Sequence, residues 1–499
     1  MAEAGAIGVL GAGAMGQGIV QVALQGGLSV LVHDAKPGAG GAGVKQVFKR
    51  LERGVEKGRL TAEGLQAARG RVTVIESLAG FARCSVVIEA VFEDLALKQK
   101  VFGELEDIVG DRCILASNTS SLLISAIARG CRRREQIAGL HFFNPVPLMQ
   151  LVEVVRGPET GEDTVRKLIE LAIQMDRTPV VARDAPGFIV NHGGRAYTTE
   201  AMRILHEQVA SPAQIDAVMR DCCGFRMGPC ELMDLTGVDV NFPATQAIYH
   251  GFSDDPRLKT SFPHRALYEA GRLGRKTGRG HYAYDENGRM APPPSPDHRS
   301  EAEPAKRLVL AEADTNLRTF ATELGAELVI RDDGAAPILA APLGEDCTSF
   351  AVRTGNDFHR LVGLDLTSDT SRRVTLMTAP GADPACRDAV SALIARSGRV
   401  ATVIRDSPGF ITQRIRAMIA NLGAEMAQIG IAQPAEIDIA MRLGLNYPSG
   451  PLELAEELGL ATVVDILQRL QAITGEDRYR PSLWLRRRAL LGLPIHTPD

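Results

Sequence analysis

His141 and Glu153 stand twelve residues apart, the first in Gly139-Leu-His-Phe-Phe-Asn-Pro-Val-Pro147 and the second in Leu151-Val-Glu-Val-Val155. Upstream lies the hydroxyl-rich stretch Ser117-Asn-Thr-Ser-Ser121. An imidazole suits general-base work near neutral pH, and a carboxylate partner orients it and stabilises the imidazolium. Taken singly, each piece has a plainer reading. The histidine could be a hydrogen-bonded core residue, the glutamate the solvent-facing position of an alternating strand, and the serines the N-cap of the next helix. Together, downstream of the motif described next, they outline a site for oxidising an alcohol.

That motif is Ile7-Gly-Val-Leu-Gly-Ala-Gly-Ala-Met-Gly-Gln-Gly18, which holds Gly11-x-Gly13-x-x-Gly16. It follows a strand-like run at Ala6–Leu10 and opens a helical stretch at Met15–Gln25. A second apolar run, Leu28–His33, then leads to Asp34, 18 residues after Gly16. In this context Gly11 permits a tight turn, Gly13 lets backbone approach a pyrophosphate, and Gly16 lets helix and strand pack closely. Ala14 and Met15 fall between the glycines at the start of the helix, whose N-terminus favours negative charge. Asp34 would accept from ribose hydroxyls and repel a 2′-phosphate, which favours NAD over NADP. The bound nicotinamide would take the hydride.

The first 140 residues alternate short apolar runs with amphipathic ones. Val86–Glu89, Ile114–Ala116 and Ile137–His141 are further strand candidates, and the alternation predicts a parallel sheet covered by helices. After Pro186-Gly187 the chain reads as mainly helical to about Tyr268. Residues 286–304, with Ala291-Pro-Pro-Pro-Ser-Pro296, read as a linker. Arg183-Asp-Ala-Pro-Gly-Phe-Ile189 then recurs as Arg405-Asp-Ser-Pro-Gly-Phe-Ile411, an offset of 222 residues. Without a gap the same offset pairs Pro212 with Pro434, Asp216 with Asp438, Gly228-Pro229 with Gly450-Pro451, and Glu231-Leu232 with Glu453-Leu454. The helical domain is present twice. Between the copies, strand-like runs at Arg307–Leu310, Glu327–Ile330, Ile338–Ala341 and Arg373–Met377 suggest a shortened dinucleotide-type domain without a glycine fingerprint.

Composition sets the bounds. The 499 residues allow three or more domains, 45% hydrophobic content suits a globular protein, and a net charge of −4 excludes a strongly basic nucleic-acid binder. The eight cysteines form no C-x-x-C pair, which argues against a zinc site or a disulfide framework and for a reducing compartment. No basic n-region precedes the first apolar run, and no stretch approaches the ~18–20 apolar residues of a membrane span. The expectation is a soluble cytoplasmic protein with no metal.

With these motifs in place, the chain resembles the L-3-hydroxyacyl-CoA dehydrogenases. The resemblance rests on residues 7–18, Ile88-Glu-Ala-Val-Phe-Glu93 with Lys98, Ser117–Ser121, His141–Pro147 and Glu153. It continues through Asp184–Asn191, Met227-Gly-Pro-x-Glu-Leu232 and Lys276-Thr-Gly278. The double length resembles bacterial members with a second C-terminal domain, associated with phenylacetate or short-chain acyl-CoA catabolism. The implied architecture is a Rossmann-type α/β domain (1–185), an all-α domain (186–285), the linker, a degenerate Rossmann-like segment (305–404) and a second all-α domain (405–499). The implied reaction is NAD-dependent oxidation of a short-chain L-3-hydroxyacyl-CoA, with 3-hydroxybutyryl and 3-hydroxyadipyl thioesters both open. Another β-hydroxyacid dehydrogenase and a non-catalytic NAD-binding relative are the alternatives.

By the same resemblance His141 is the base, Glu153 its partner, Ser120 a ligand of the reacting oxygen, and Asn191 a further site residue. Asn144 and Glu93 lie near the nicotinamide ribose, and Lys98 and Lys276 near the cofactor cleft. Lys57 would meet a coenzyme A phosphate or simply end a solvated helix. Arg195, one turn beyond Asn191, would form a surface ion pair or meet an acyl-chain carboxylate. In the second half, aligning Gly363-Leu-Asp365 with Gly139-Leu-His141 puts Asp365 at the place of His141, and the 222-residue offset puts Thr375 and Gln413 at those of Glu153 and Asn191. One active site per chain is therefore expected. The tandem helical copies could pair within the chain, with a homo-oligomer as the other option.

Overall fold

The structure, a computed structural model, describes residues 5–329 and 331–499. It forms two compact units, one of residues 1–192 with 429–445 and one of 193–428 with 446–499.

The first unit is built on eight strands, β1 (Ile7–Leu10), β2 (Val30–His33), β3 (Val72–Val74), β4 (Val86–Glu89), β5 (Ile114–Ser117), β6 (Ile137–Phe142), β7 (Leu151–Arg156) and β8 (Thr178–Arg183). Their order across the sheet is β3-β2-β1-β4-β5-β6-β7-β8. All neighbours are parallel except β6 and β7, which run antiparallel. The central strands β1, β4, β5 and β6 are apolar runs buried along their whole length, as in sheets sheltered on both faces. The helices that matter for the site are α1 (Ala14–Gln25), α2 (Ala39–Glu56), α3 (Leu95–Ile108) and the single turn α4 (Val190–Gly193). The second strand starts later than the apolar run at Leu28 implies, because the Leu28 amide still closes α1 on the Ala23 carbonyl.

The second unit carries a six-stranded sheet made of β9 (Arg307–Leu310), β10 (Glu327–Leu328), β11 (Ile338–Ala340), β12 (Leu361–Leu364), β13 (Arg373–Met377) and β14 (Val400–Ile404), in the order β10-β9-β11-β12-β13-β14. Again one central pair, β12 with β13, is antiparallel. The 222-residue offset lays β12, β13 and β14 on β6, β7 and β8, and β9 on β4. The degenerate copy thus starts at the fourth strand of the pattern and lacks the strand–loop–helix that carries the glycines. Ile330, at the end of one expected strand, lies outside the described residues.

The stretch 286–304 is not a free linker. His298 N–H donates to the Ala401 carbonyl (2.8 Å), Thr402 Oγ1 donates to the Pro296 carbonyl (3.2 Å), and Asp297 pairs with Arg373 (3.0 Å). It covers the open edge of β14, which would otherwise expose unpaired backbone.

The second unit also holds most of both helical copies. Helix α5 (Arg195–His206) from the first copy packs on α7 (Thr412–Gln428) from the second, and α6 (Pro212–Cys223) packs on β13. The helical stretch after Asn191 breaks between α4 and α5 at Gly193-Gly194, whereas α7, with Ile415 and Arg416 at the corresponding places, runs unbroken. Two glycines cost about 1 kcal/mol each against alanine in a helix, enough to end it there.

The compact units do not follow the repeat boundaries. Helix α8 (Pro434–Leu445) belongs by sequence to the second helical copy yet packs on β7 and β8 of the first unit.

Candidate active site

In the antiparallel β6–β7 pair His141 and Glu153 are direct cross-strand partners, so both side chains leave the same face at the same level. His141 Nδ1 lies 2.7 Å from Glu153 Oε2, with Glu153 fully buried and His141 nearly so. The other carboxylate oxygen, Oε1, accepts the N–H groups of Ile189 (3.0 Å) and Val190 (2.9 Å). A buried carboxylate held by two amides and one imidazole has little freedom to rotate. The Phe143 and Phe188 rings flank the imidazole at 4.5 and 5.9 Å. Nδ1 is engaged by Glu153, which leaves Nε2 as the nitrogen for a substrate proton.

The Pro-Gly-Phe turn aims those two amides. Phe188 holds a left-handed backbone (φ 49°), as does its counterpart Phe410 (φ 51°). Asp184 fastens the same turn by accepting from Ile124 and Ser125 N–H, and Asp406 does the same for Cys347 and Thr348. These roles are structural, and they explain why the motif recurs in a half that has lost the histidine.

The serine stretch is gathered by Glu93. Its Oε1 accepts from Thr119 Oγ1 (2.5 Å), Ser121 Oγ (2.8 Å) and the amides of Ser120 and Ser121 (3.2 Å each). Burial alone would raise the Glu93 carboxyl, but the Thr119 hydrogen bond and the charge of Lys98 outweigh it and hold it below the usual range. Ser120 itself is exposed, and Asn191 Nδ2 reaches its carbonyl at 3.3 Å, so Asn191 and Ser120 do meet.

Lys98 lies beside Glu93. It is 1% exposed on α3, and its ammonium lies 2.6 Å from Glu89 and 3.3 Å from Glu93. A buried ammonium held this way supports Glu93. Glu89, overlooked in the sequence, is the hub. One oxygen takes Lys98 and the Val91 amide, the other the Ser117 hydroxyl (2.6 Å). The signal was present as a carboxylate ending the apolar run Val86-Val-Ile-Glu89. Asn118, also overlooked, accepts the Phe142 amide and ties the serine stretch to the histidine strand.

The glycine loop fits a dinucleotide. Gly11 sits at φ 102°, a Cβ at Gly16 would overlap the Gly11 carbonyl, and one at Gly13 would meet nothing within 4 Å. Gly13 thus leaves open room where a pyrophosphate needs it. Ala14 and Met15 begin α1 behind it, and Asp34 closes the loop by accepting the Ala12 amide (2.7 Å).

Of the remaining expected residues, Asn144 is exposed in the loop after β6. Lys57 caps α2 and lines a cavity of about 270 Å³ with Arg50, Arg53 and Arg59. Lys276 belongs to the second unit, where its ammonium is 2.5 Å from Asp239. Arg195 is also in the second unit. It is largely buried, donates to the Thr245 hydroxyl (2.7 Å) and the Asn241 carbonyl (3.4 Å), and burial lowers its pKa to about 10.

The corresponding place in the second unit is closed by its own hydrogen bonds. The Asp365 carboxylate accepts from the hydroxyls of Thr367 and Thr412 and from the Gln413 amide, and Gln413 in turn donates to the Pro342 carbonyl.

Comparison with known families decides the question left by this geometry. Residues 6–185 match the 3-hydroxyacyl-CoA dehydrogenase NAD binding domain, and residues 187–284 and again 409–494 match the C-terminal domain of the same enzymes. The chain belongs to the 3-hydroxyacyl-CoA dehydrogenase family. It is 37% identical over 486 residues, 97% of each chain, to 3-hydroxyadipyl-CoA dehydrogenase of Escherichia coli K12. It is 41% identical over 277 residues to a probable 3-hydroxybutyryl-CoA dehydrogenase of Deinococcus radiodurans, 56% of this chain and 99% of that one. Among solved structures, a 3-hydroxybutyryl-CoA dehydrogenase from Escherichia coli K12 superposes with a TM-score of 0.86 at 35% identity, over 97% of this chain and 98% of that chain. This dehydrogenase is NAD-dependent, and its C-terminal domain is duplicated. Among the described residues, no helix is long and apolar enough to cross a membrane.

Proposed function

We propose that the first unit oxidises a short-chain 3-hydroxyacyl-CoA to the 3-oxoacyl-CoA, with His141 as base, Glu153 as its orienter, and Ser120 and Asn191 at the reacting oxygen. The observation that carries this is the buried 2.7 Å contact between His141 Nδ1 and Glu153 across the antiparallel pair. His141 Nε2 takes the C3 hydroxyl proton, and the Glu153 carboxylate beside Nδ1–H stabilises the imidazolium. NAD, when bound, supplies the hydride acceptor. The Ser120 hydroxyl donates to the oxygen that becomes the ketone, and Asn191 fixes the serine backbone from which it projects. Gly11, Gly13 and Gly16 admit the pyrophosphate, and Asp34 faces the adenosine ribose. Glu93, held by Lys98, sets the loop that borders the nicotinamide ribose.

The test is NADH formation by the purified chain with a panel of 3-hydroxyacyl-CoA thioesters, including 3-hydroxybutyryl-CoA and 3-hydroxyadipyl-CoA. Turnover of at least one four- to six-carbon thioester is expected. Absence of turnover with all of them, NAD binding being intact, overturns the reading.

The basic cavity at the end of α2 fits a coenzyme A phosphate. Arg50 donates to Gln21 and Gln17, and burial lowers its pKa, so its charge is already costly and gains from an anion. Lys57→Glu should raise KM for the thioester roughly fivefold, the size of a contact worth ~1 kcal/mol, and leave KM for NAD unchanged. Initial-rate kinetics against each substrate check this.

A further inference from the structure

The second half of the chain supplies a helix to the half that carries the histidine. Residues 429–445 are fastened along β8 by three hydrogen bonds. Arg183 N–H donates to the Ile431 carbonyl (2.7 Å), Val181 N–H to Glu436 Oε1 (2.9 Å), and the Arg183 guanidinium to the Ile429 carbonyl (3.2 Å). Strand β8 is the edge of its sheet, and its inner neighbour is β7, where Val180 pairs with Glu153. Near its C-terminal end α8 presents Gly444. A Cβ there would lie 2.8 Å from Val190 Cγ2 and 3.0 Å from Leu151 Cδ2.

Both contacts lead to Glu153. Leu151 is two residues before it on the same strand, and the Val190 amide donates to its Oε1. Val190 also precedes Asn191. Leu151 and Val190 are each at most 1% exposed, so neither can move away without disturbing a packed core.

The 222-residue repeat supplies an internal comparison. Arg405 N–H donates to the Val209 carbonyl (3.0 Å), the counterpart of the Arg183–Ile431 bond, and Gln214, at the position of Glu436, donates to the Val403 carbonyl (2.9 Å). In that unit the place of Gly444 is taken by Cys222, whose thiol faces the Arg373 carbonyl at 3.5 Å, and the places of Leu151 and Val190 are taken by Arg373 and Thr412. The unit with no counterpart of His141 accommodates a side chain where the unit with His141 has only a hydrogen.

We propose that α8 is a positioning element for the reaction. Through Gly444 it seats Val190 and Leu151, so that the Ile189 and Val190 amides hold Glu153 in line with His141 Nδ1. The degenerate half is then a working part of the active one. This rests on Glu153 orienting His141.

The test is steady-state kinetics of Gly444→Ala in the full-length chain, beside Gly444→Ala/Val190→Ala and Cys222→Val. An added methyl that displaces Val190 should lower kcat about tenfold or more, because small misplacements of a catalytic pair are costly. KM for NAD and for the thioester should stay within about twofold, since neither binding surface is touched. Amide exchange at Ile189 and Val190 should quicken. Removing the two Val190 methyls should restore most of kcat, and Cys222→Val, the matched change in the other unit, should leave it unaltered. If Gly444→Ala is insoluble, Glu436→Ala removes the Val181 acceptor without crowding the core and should show the same split, at about threefold. Unchanged kcat in the soluble variant, no recovery in the double variant, or an equal loss in Cys222→Val overturns the positioning role. Full turnover by His141→Gln would instead overturn the function reading, so the two failures are distinct.

Discussion

His141→Gln lowers kcat by about 10²–10⁴, the range for removing a general base, and leaves KM for NAD within twofold. The glutamine keeps polar contact with Glu153 but cannot accept and hold a proton. Glu153 Oε1 keeps both backbone donors, so the β6–β7 pair stays folded. Rates of NADH formation at saturating thioester, with circular dichroism to verify the fold, are the measurement. Turnover near that of the parent chain would remove His141 from the mechanism. No compensation from the second unit is expected, because Asp365 is already occupied by Thr367, Thr412 and Gln413 and that unit lacks the glycine loop.

Arg414→Met destabilises the protein by about 3–5 kcal/mol, the cost of leaving a buried charge without its partner. Arg414 is fully buried on α7 and joins the helical copies. Its guanidinium contacts Glu200 (2.8 Å), Glu207 (2.6 Å) and the Tyr479 hydroxyl (2.9 Å), and Arg478 reaches Glu200 at 3.2 Å. Burial by itself would raise the Glu200 carboxyl, but the charges of Arg414 and Arg478 outweigh it and hold it below its usual value. A depressed carboxyl stabilises the fold above its unfolded pKa, about 4.3, and loses that contribution as the pH falls through its folded value. The deficit of the variant is therefore full at pH 7 and narrows below about pH 4. Thermal or urea unfolding of parent and variant at both pH values checks magnitude and sign. A deficit under 1 kcal/mol at pH 7 would show that the network is not needed.

Where sequence and structure agree, a local rule was enough. The strand, glycine loop and helix at 7–25 need only apolar periodicity and three glycines. The same holds for β4 to β6, which are short apolar runs between helical ones. The pairing of His141 with Glu153 was legible as chemistry but not as geometry, since nothing in the local pattern marks β6 and β7 as the one antiparallel pair of their sheet. The partners of Lys98 and Arg195 were not legible, because a charged side chain finds them only in the fold, and Glu89 and Thr245 come from other elements. The linker, by contrast, misled. Proline-rich composition describes a backbone without a ladder of its own, and it does not reveal that Pro296–His298 has the edge of β14 to lie on. The crossing of α8 into the first unit was the least legible feature, because a helix carries the same internal pattern whichever sheet it covers.

That crossing changes what the protein depends on. A helix lent by one separate chain to the sheet of another would make a finished active unit only at concentrations where the chains associate. Here lender and borrower are the same polypeptide, and a tether gives the helix an effective local concentration on the order of millimolar, whatever the dilution of the protein. The seating of α8 on β7 and β8 is thus a step of folding, and it does not vary with the concentration of the protein.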